Sequence, residues 1–349
     1  MKVENIHLAG VGTYLPKAVP TKEAVAAGWY DADECEASGI ESVLVEDSVS
    51  APDMAIRAAE TALRRSGHEP DDFAALVHTN AYHQGPDGWS APHYVLLNTL
   101  GRTIPAVEVR QGCLGMLASL EAAAGRLIAD PSSKDAVLLT TGDNYSTPKV
   151  NRWTASKLFL LADAGSSLVV SRRSGFARVL AVGSLSDPRM EALHRGAEQL
   201  LPPSITAGLP LDFESRIQYW RKQWASGVKP PIGHFGDQVA AIADRTLAEA
   251  GVTMEQIRRV CHVGFNDDPL QTMFLEPLGV EDDRSIWEHS RRIGHTGVSD
   301  FVIGLERLWL DGEVEPGDHV MLVGAATGME AGCAVLEITA APGPQTAAA

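Results

Sequence analysis

Cysteine, basic residues and long uncharged apolar stretches are all scarce in this chain of 349 residues. The four cysteines, at positions 35, 113, 261 and 333, show no C-x-x-C spacing, so we expect no disulfide framework and no metal site, and a reduced cytoplasm is the predicted setting. Lysine and arginine number 29 against 45 acidic residues, without any basic run, which excludes a typical nucleic-acid-binding surface. No window reaches about 18 uncharged apolar residues, so we expect no membrane span.

The composition that remains is that of an ordinary globular protein, with 45% hydrophobic and 21% charged residues. Apolar runs predict strands, and apolar residues spaced three and four apart predict helices. The predicted strands are residues 5–12, 74–78, 136–141, 167–171, 259–265, 319–324 and 333–338, and the predicted helices are residues 51–67, 114–128 and 300–310. Strands that alternate with helices predict an α/β fold with a largely parallel sheet.

The second part of the chain repeats the spacing of the first part. Cys113 follows His78 by 35 residues, and His295 follows His262 by 33. The sequence therefore predicts a duplicated α/β architecture with halves at residues 1–175 and 176–340. An insertion around residues 185–240 interrupts the second half, and residues 341–349 form a predicted disordered tail. Packing of the halves about a pseudo-twofold axis would bring Cys113 and His295 together.

Cys113 is a candidate nucleophile. It stands between Gly112 and Gly115 at the start of the predicted helix 114–128. The positive end of a helix dipole stabilises a thiolate, which is the form that attacks an acyl group. The alternative is that Cys113 is a small buried hydrophobic residue, as free cysteine commonly is.

His295 and Asp300 are the candidate partners of this thiol. His295 lies between Gly294 and Gly297, and Asp300 begins the helix 300–310. A histidine oriented by a carboxylate acts as a general base. The alternatives are a structural histidine and an acidic residue that stabilises the first turn of a helix. A thioester mechanism also needs oxyanion donors, for which the Cys113 amide and the small-residue turn 324–328 are candidates.

Several motifs together resemble the ketoacyl-ACP synthase III branch of the thiolase superfamily over nearly the whole chain. They are residues 10–16 (GVGTYLP), Ala55 in its helix, residues 109–115 around Cys113, Gly142-Asp143, residues 162–165 (ADAG), Pro316-Gly317-Asp318 and residues 324–332 (GAATGMEAG). The resemblance implies a thiolase-like α/β/α/β/α fold and an acylated Cys113. It also implies that the turn at Thr327 and Gly328 supplies the second oxyanion amide.

The departures from this family point to a different reaction. Condensing members carry a His-Gln-Ala-Asn motif after the strand at 259–265 and a Gly-Asn-Thr motif before the later helix. This chain has residues 264–267 (GFND) at the first place and Gly294-His295-Thr296 at the second. Without the His and Asn donors, an enolate would lose several kcal/mol of stabilisation, about the effect of removing oxyanion-type donors. The pattern is similar to a subgroup in antibiotic biosynthesis that transfers acyl groups, including to glycosides, without forming carbon–carbon bonds.

The predicted reaction is therefore transfer of an acyl group, with malonyl as one candidate, from CoA or an acyl carrier protein through Cys113 to a hydroxyl on a sugar or polyketide. No cofactor is expected beyond this thioester co-substrate, and the family resemblance implies a homodimer. Lys149, Arg152 and Lys157 are candidates for a basic patch that docks an acidic carrier protein, against the alternative of a merely solvated stretch.

Three other functions remain open from the sequence. They are a decarboxylative condensing enzyme, a non-catalytic partner that binds acyl chains, and a thiolase. The thiolase is disfavoured, because it needs a second active-site cysteine and both Cys261 and Cys333 fall on predicted strands. In the insertion, Trp220 and Trp224 lie on one helix face. They either line a pocket for a flat or glycosidic substrate or pack beneath the insertion.

Overall fold

A computed structural model describes residues 1–130, 134–229 and 234–343 of the chain. Its centre is a sheet of nine strands in the order β5-β4-β6-β7-β1-β8-β11-β10-β9, and β2 and β3 form a separate hairpin. The strands are β1 (His7–Tyr14), β2 (Lys17–Pro20), β3 (Ser42–Val45), β4 (Phe73–Thr79), β5 (Ala106–Val109), β6 (Ala136–Asp143), β7 (Ala164–Ser171), β8 (Ala177–Ser186), β9 (Ile257–His262), β10 (His319–Ala326) and β11 (Glu330–Ile338).

Twelve α-helices are present in the part of the chain that the structure describes. They are α1 (Thr21–Ala26), α2 (Ala32–Ser38), α3 (Ala51–Ser66), α4 (Ala91–Asn98), α5 (Gly115–Ala129), α6 (Glu191–Arg195), α7 (Phe213–Ala225), α8 (Phe235–Ala250), α9 (Asp267–Leu270), α10 (Glu276–Leu278), α11 (Trp287–Ser290) and α12 (Asp300–Leu310). Helix α3 packs on β1, β6 and β7, and α8 packs on β8, β10 and β11. Helix α5 contacts strands from both halves of the sheet, including β4 and β6 in the first and β8 and β11 in the second, and α12 contacts β1, β7 and β9. This layering is the α/β/α/β/α arrangement that the sequence predicted.

The strand pairing repeats itself within the sheet. From β5 to β1 the successive pairs β5–β4, β4–β6, β6–β7 and β7–β1 are parallel, parallel, antiparallel and antiparallel. From the other edge, a parallel bridge of Ser285 to β9 is followed by a parallel β9–β10 pair and antiparallel β10–β11 and β11–β8 pairs. The same pattern of strand directions therefore occurs twice. The two series join where β1 pairs with β8 at His7 and Leu8.

Helix α3 lies unusually close to the sheet because glycines face it. A Cβ at Gly10 would lie 2.1 Å from the carbonyl oxygen of Ala62, and one at Gly142 would lie 2.1 Å from that of Ala51. A side chain at either position would overlap the helix backbone. These glycines belong to the motifs that resemble the ketoacyl-ACP synthase III branch. They therefore set the distance between α3 and the strands.

Helix α5 carries the sequence around Cys113 into the core. Residues Gly112–Ala129 are long and apolar enough to cross a membrane by length and composition, yet half of that stretch is buried inside the protein. Its apolar side, which includes Leu117, Leu120, Ala124 and Leu127, belongs to the main hydrophobic core. We therefore identify α5 as a core helix whose N-terminus holds Cys113.

The predicted elements are all present, but the largely parallel sheet was predicted wrongly. Five of the eight neighbouring strand pairs in the nine-stranded sheet are antiparallel, because both series of strands end in antiparallel pairs. The short elements β2, β3, β5, α1, α2 and α4 were also not predicted. The strand predicted at 259–265 ends earlier, at His262, because the chain turns away there toward the site. Strand β8 and helix α8 were not predicted. Helix α8 begins inside the region taken as an insertion, at Phe235, and packs on the sheet. Residues 344–349 of the predicted tail, and residues 230–233 of the insertion, lie outside the described residues.

We predict that Gly142→Ala destabilises the protein by about 1–3 kcal/mol, because the added methyl group would overlap the α3 backbone. Gly125→Ala in α5 is the matched control, since nothing lies within 4 Å of a Cβ at that position. This control should leave stability unchanged or raise it by up to about 1 kcal/mol, the difference in helix propensity. Urea unfolding followed by circular dichroism measures both, and equal effects of the two substitutions would contradict the proposed close packing.

Candidate active site

Cys113 lies in a short 3₁₀ turn, Gly112–Leu114, that leads directly into α5. Gly112 has a positive φ of 50°. A Cβ on Gly112 would lie 3.0 Å from the hydroxyl oxygen of Thr327. The glycine before the cysteine therefore allows the turn after β10 to approach the thiol.

His295 reaches the same place from the second half of the chain. Its backbone is fixed by two hydrogen bonds, from its N–H to the Leu160 carbonyl and from the Ala162 N–H to its carbonyl, both at 2.8 Å. Its Nε2 lies 3.0 Å from the Cys113 Sγ, and its Nδ1 lies 2.6 Å from the Asp300 Oδ2. The structure thus brings the three predicted catalytic side chains into one chain of direct contacts.

Asp300 is 3% exposed and has hydrogen-bond donors on both carboxylate oxygens. Oδ2 accepts from the Gly264 N–H at 2.7 Å as well as contacting His295. Oδ1 accepts from the N–H of Thr296 at 2.8 Å and from its hydroxyl at 2.6 Å. This set of donors stabilises a buried negative charge and fixes the orientation of the imidazole.

The electrostatics of the site favour the charged forms of His295 and Asp300. Burial alone lowers the pKa of His295, but the charges of Cys113 and Asp300 outweigh burial and hold that pKa well above its usual value. Burial raises the pKa of Asp300, but the His295 charge and the hydrogen bonds leave it lower than usual. The imidazolium form of His295 and the ionised carboxylate of Asp300 are therefore both favoured at neutral pH.

A cavity of about 430 Å³ opens onto Cys113 and His295. Two phenylalanines cover the imidazole within it. The ring centroid of Phe159 lies 4.8 Å from that of His295, and Phe265 is stacked at 6.3 Å with an interplanar angle of 27°. Phe265 belongs to the GFND segment, where the condensing family carries polar residues. The two rings thus give the imidazole an apolar cover.

A second cavity of about 580 Å³ adjoins the first and shares part of its wall, including His194 and Phe213. Both Trp220 and Trp224 line this second cavity. The indole N–H of Trp220 donates to the Ala192 carbonyl at 2.8 Å, so this ring also anchors α7 to α6. The insertion therefore builds a wall of the adjoining cavity, and the tryptophans both pack within the insertion and face open space.

The predicted oxyanion residues lie beside the thiol but differ in their bonding. Thr327 lines the cavity together with Cys113. The Gly328 N–H instead donates to Nδ1 of His194 at 3.2 Å. Burial and the nearby Arg216 lower the pKa of His194 to about 4, so this histidine is neutral and accepts that bond. Of the two predicted residues, Thr327 has the better position for an oxyanion donor.

Of the three residues predicted to form a basic surface patch, Arg152 is buried. Arg152 is 7% exposed, pairs with Asp163 at 2.8 Å and donates to the Leu161 carbonyl at 3.0 Å, so its charge is neutralised inside the protein. Lys157 is half-exposed and pairs with Glu34 at 2.6 Å. Lys149 lines the catalytic cavity. Arg152 was assigned wrongly because sequence alone does not reveal that Asp163 faces it.

Cys261 and Cys333 do not supply the second reactive thiol that a thiolase would need. Cys261 and Cys333 lie on β9 and β11, as predicted, and both are fully buried. Burial raises the pKa of each thiol to about 12. All four cysteines are unpaired thiols, and no metal-binding cluster of histidine, cysteine and acidic residues occurs in residues 1–130, 134–229 and 234–343.

Sequence reasoning missed the aromatic cover of His295 and the role of His194. The replacement of the family's polar motif by a segment containing Phe265 was a visible signal for the first. Phe159 and His194 gave no such signal, because each reaches the cavity only through the packing of segments distant in sequence.

Comparison with known proteins gives consistent results over the whole chain. The family profile described as 3-oxoacyl-[acyl-carrier-protein (ACP)] synthase III C terminal matches residues 247–338. β-Ketoacyl-[acyl-carrier-protein] synthase III of Clostridium beijerinckii is 23% identical over 96% of this chain and 100% of its own length. Synthase III 5 of Streptomyces coelicolor is 25% identical over 94% of this chain and 96% of its own length.

Solved structures extend this result. The acyltransferase ChlB3 is 35% identical, with a TM-score of 0.91 over 96% of this chain and 98% of its own. 3-Oxoacyl-[acyl-carrier-protein] synthase III of Aquifex aeolicus shares the fold, with 18% identity, a TM-score of 0.76 and coverage of 95% and 99%. The fold and these relatives define the class as thiolase-superfamily transferases. Within that class, the chain belongs to the ketoacyl-ACP synthase III-like family.

We predict that the pKa of His295 falls in a Cys113→Ser variant, because the Cys113 charge is the largest of the influences that raise it. In the wild-type protein the imidazolium signal should persist well above pH 6.5, the ordinary value for histidine. Nitrogen-15 NMR of the histidine side chains measures this titration, with His194 as an internal reference that stays neutral. An unchanged His295 titration in the variant would disprove the thiolate–imidazolium pair.

Proposed function

We propose that the protein is an acyltransferase that moves an acyl group from a CoA or carrier-protein thioester, through Cys113, to an acceptor hydroxyl without forming a carbon–carbon bond. The observation that carries this proposal is the direct Cys113–His295–Asp300 chain, with contacts of 3.0 and 2.6 Å, beneath a cover of phenylalanines. A sugar or polyketide acceptor, a malonyl donor and a role in antibiotic biosynthesis are the more specific forms of the proposal.

In the first half-reaction, the Cys113 thiolate attacks the thioester carbon of the donor. The new carbon–sulfur bond forms to Cys113, the bond to the donor sulfur breaks, and the departing thiolate takes the Nε2 proton of His295. Backbone N–H groups of Cys113 and Thr327 are the proposed donors to the oxyanion. The products are the acyl-enzyme, a neutral His295 and the free donor thiol.

In the second half-reaction, acylation itself prepares His295 as a base. The thioester carries no charge, so the main influence that raised the pKa of His295 is gone. The imidazole then accepts the proton of the acceptor hydroxyl while the oxygen attacks the thioester carbon. The carbon–sulfur bond breaks, and the thiolate–imidazolium pair is regenerated with an ester as product.

The lining of the cavity supports transfer over condensation. A condensing enzyme must hold an enolate, which needs hydrogen-bond donors directed at the donor acyl group. Here Phe265 covers the imidazole, and the Asn266 amide N–H₂ donates to the Lys157 carbonyl at 2.8 Å instead. The 35% identity to a protein named an acyltransferase supports the same choice.

Decarboxylative condensation is the second candidate, because two relatives of nearly full length are β-ketoacyl-ACP synthases III at 23% and 25% identity. Release of carbon dioxide coupled to product formation would establish this reaction in place of simple transfer.

The partners are also part of the proposal. Lys149 and Lys157 remain candidates for docking an acidic carrier protein. A homodimer is supported by β5, which lies at one edge of the nine-stranded sheet with Val107 exposed. An unpaired strand edge of this kind favours association with a second copy.

We predict that incubation with malonyl-CoA, within a panel of acyl-CoA and acyl-carrier donors, adds a complete malonyl group to Cys113. Intact-protein mass spectrometry reports the adduct, and Cys113→Ala should remove it. A bound group that has lost its carboxylate would contradict non-decarboxylating transfer. Full transfer activity in Cys113→Ala would contradict the covalent step.

We predict that Asp300→Asn slows acyl transfer by about 10²–10⁴-fold, the range typical for a positioned general base. The amide would place a donor opposite an existing donor and lose the charge that stabilises the imidazolium. Asp53→Asn is the matched control, because Asp53 is also a first-turn acid of its helix, α3, but does not line the cavity. If both variants lose activity alike, Asp300 acts only as a helix-terminal charge.

A further inference from the structure

Tyr145 is a buried residue whose hydroxyl group has no hydrogen-bond partner among the residues that the structure describes. The residue is 3% exposed and lines the cavity that contains Cys113 and His295. Its hydroxyl oxygen makes no hydrogen bond to any of the residues that the structure describes, whereas the buried Tyr30 donates to the Glu34 carbonyl at 3.0 Å. A buried tyrosine hydroxyl usually has a partner. The unsatisfied hydroxyl group of Tyr145 therefore points to a ligand in the cavity.

The position of this hydroxyl is well defined. The Tyr145 N–H donates to Asp163 at 2.7 Å, and its ring packs 5.4 Å from that of Tyr82 in a small cluster with Leu161. A Cβ at Gly297 would lie 2.8 Å from the Tyr145 hydroxyl oxygen. The hydroxyl thus sits against the backbone two residues after His295, held by a ring that has little freedom to turn.

The electrostatic surroundings determine what the hydroxyl can bind. Burial, together with the negative charges of Asp143, Cys113, Asp163 and Asp300, raises the pKa of Tyr145 well above its usual value. The group therefore stays protonated and acts as a donor. As a donor, the hydroxyl can bind an oxygen of a substrate in the cavity.

The hydroxyl also approaches the cavity from a different side than the proposed oxyanion donors. Tyr145 follows the end of β6, while Thr327 follows the end of β10, and β7, β1, β8 and β11 lie between those two strands. In the proposed function, the thioester oxygen binds at the turn of Thr327. The oxygen that Tyr145 contacts is therefore a different one, and the reaction offers the oxygen of the acceptor hydroxyl.

We propose that the Tyr145 hydroxyl donates a hydrogen bond to the oxygen of the acceptor hydroxyl and positions that group between His295 and the acylated Cys113. This inference deepens and rests on the proposed function. The acceptor O–H gives its proton to Nε2 of His295, one oxygen lone pair attacks the thioester carbon, and the other accepts from Tyr145. The tyrosine keeps its own proton throughout.

Tyr145→Phe tests this assignment with p-nitrophenyl acetate as a surrogate acyl donor. The burst of p-nitrophenolate reports acylation of Cys113, and decay of the acetyl-enzyme, in water and with added methyl glucoside, reports transfer. We expect an unchanged burst rate and decay slowed about tenfold, the effect of losing one hydrogen bond of ordinary strength. Thermal stability should stay equal or rise, because no bond within the protein is lost.

Tyr30→Phe is the matched control. It removes a buried hydroxyl that has a partner outside the cavity, so it should lower thermal stability and leave both the burst and the decay unchanged.

An unchanged decay in Tyr145→Phe overturns the proposal, and so does a burst slowed as much as the decay, because the hydroxyl would then act on the acyl group. Absence of a burst in the wild-type protein would instead refute the covalent step, and the acceptor assignment would fall with it.

Discussion

The carboxylate of Asp300 is the constraint on which the site depends. A buried charge is tolerated only where donors surround it, and here they come from Gly264, Thr296 and His295. Gly264 follows β9, whereas the other two belong to the loop before α12. The Asp300 carboxylate therefore connects two segments of the chain. It also sets the tautomer and the rotation of the imidazole, so that Nε2 faces Cys113.

The apolar cover of His295 gives this arrangement its chemical character. Phe159 and Phe265 exclude water from one side of the imidazole, which strengthens the attraction between the imidazolium and the thiolate. The same rings offer no hydrogen bond to a carbanion. In the proposed function, one base and one nucleophile beside these apolar rings suit the exchange of an acyl group between sulfur and oxygen. The replacement of a polar motif by Phe265 thus carries as much functional information as the presence of His295.

The sequence predicted the structural features that depend on a local or a repeated pattern of residues. Apolar runs located seven of the strands within a few residues, and the matched spacing predicted that His295 lies opposite Cys113. Strand β8 was missed because its last residues are polar and exposed, which hides the apolar run. Arg152 and Tyr145 show the deeper reason for the other misses. Whether a charge is neutralised by Asp163, or a hydroxyl left without a partner, depends on contacts that no spacing along the chain encodes.

The distance between the nucleophile and its base along the chain has a consequence for biosynthesis. Cys113 precedes His295 by 182 residues, so a nascent polypeptide carries the thiol long before the ribosome adds the histidine. Until the C-terminal strands have been made and joined to the sheet, the sulfur lacks its imidazolium partner. Acyl thioesters in the surrounding pool therefore meet an unactivated thiol during translation, and reactivity begins only with the finished molecule.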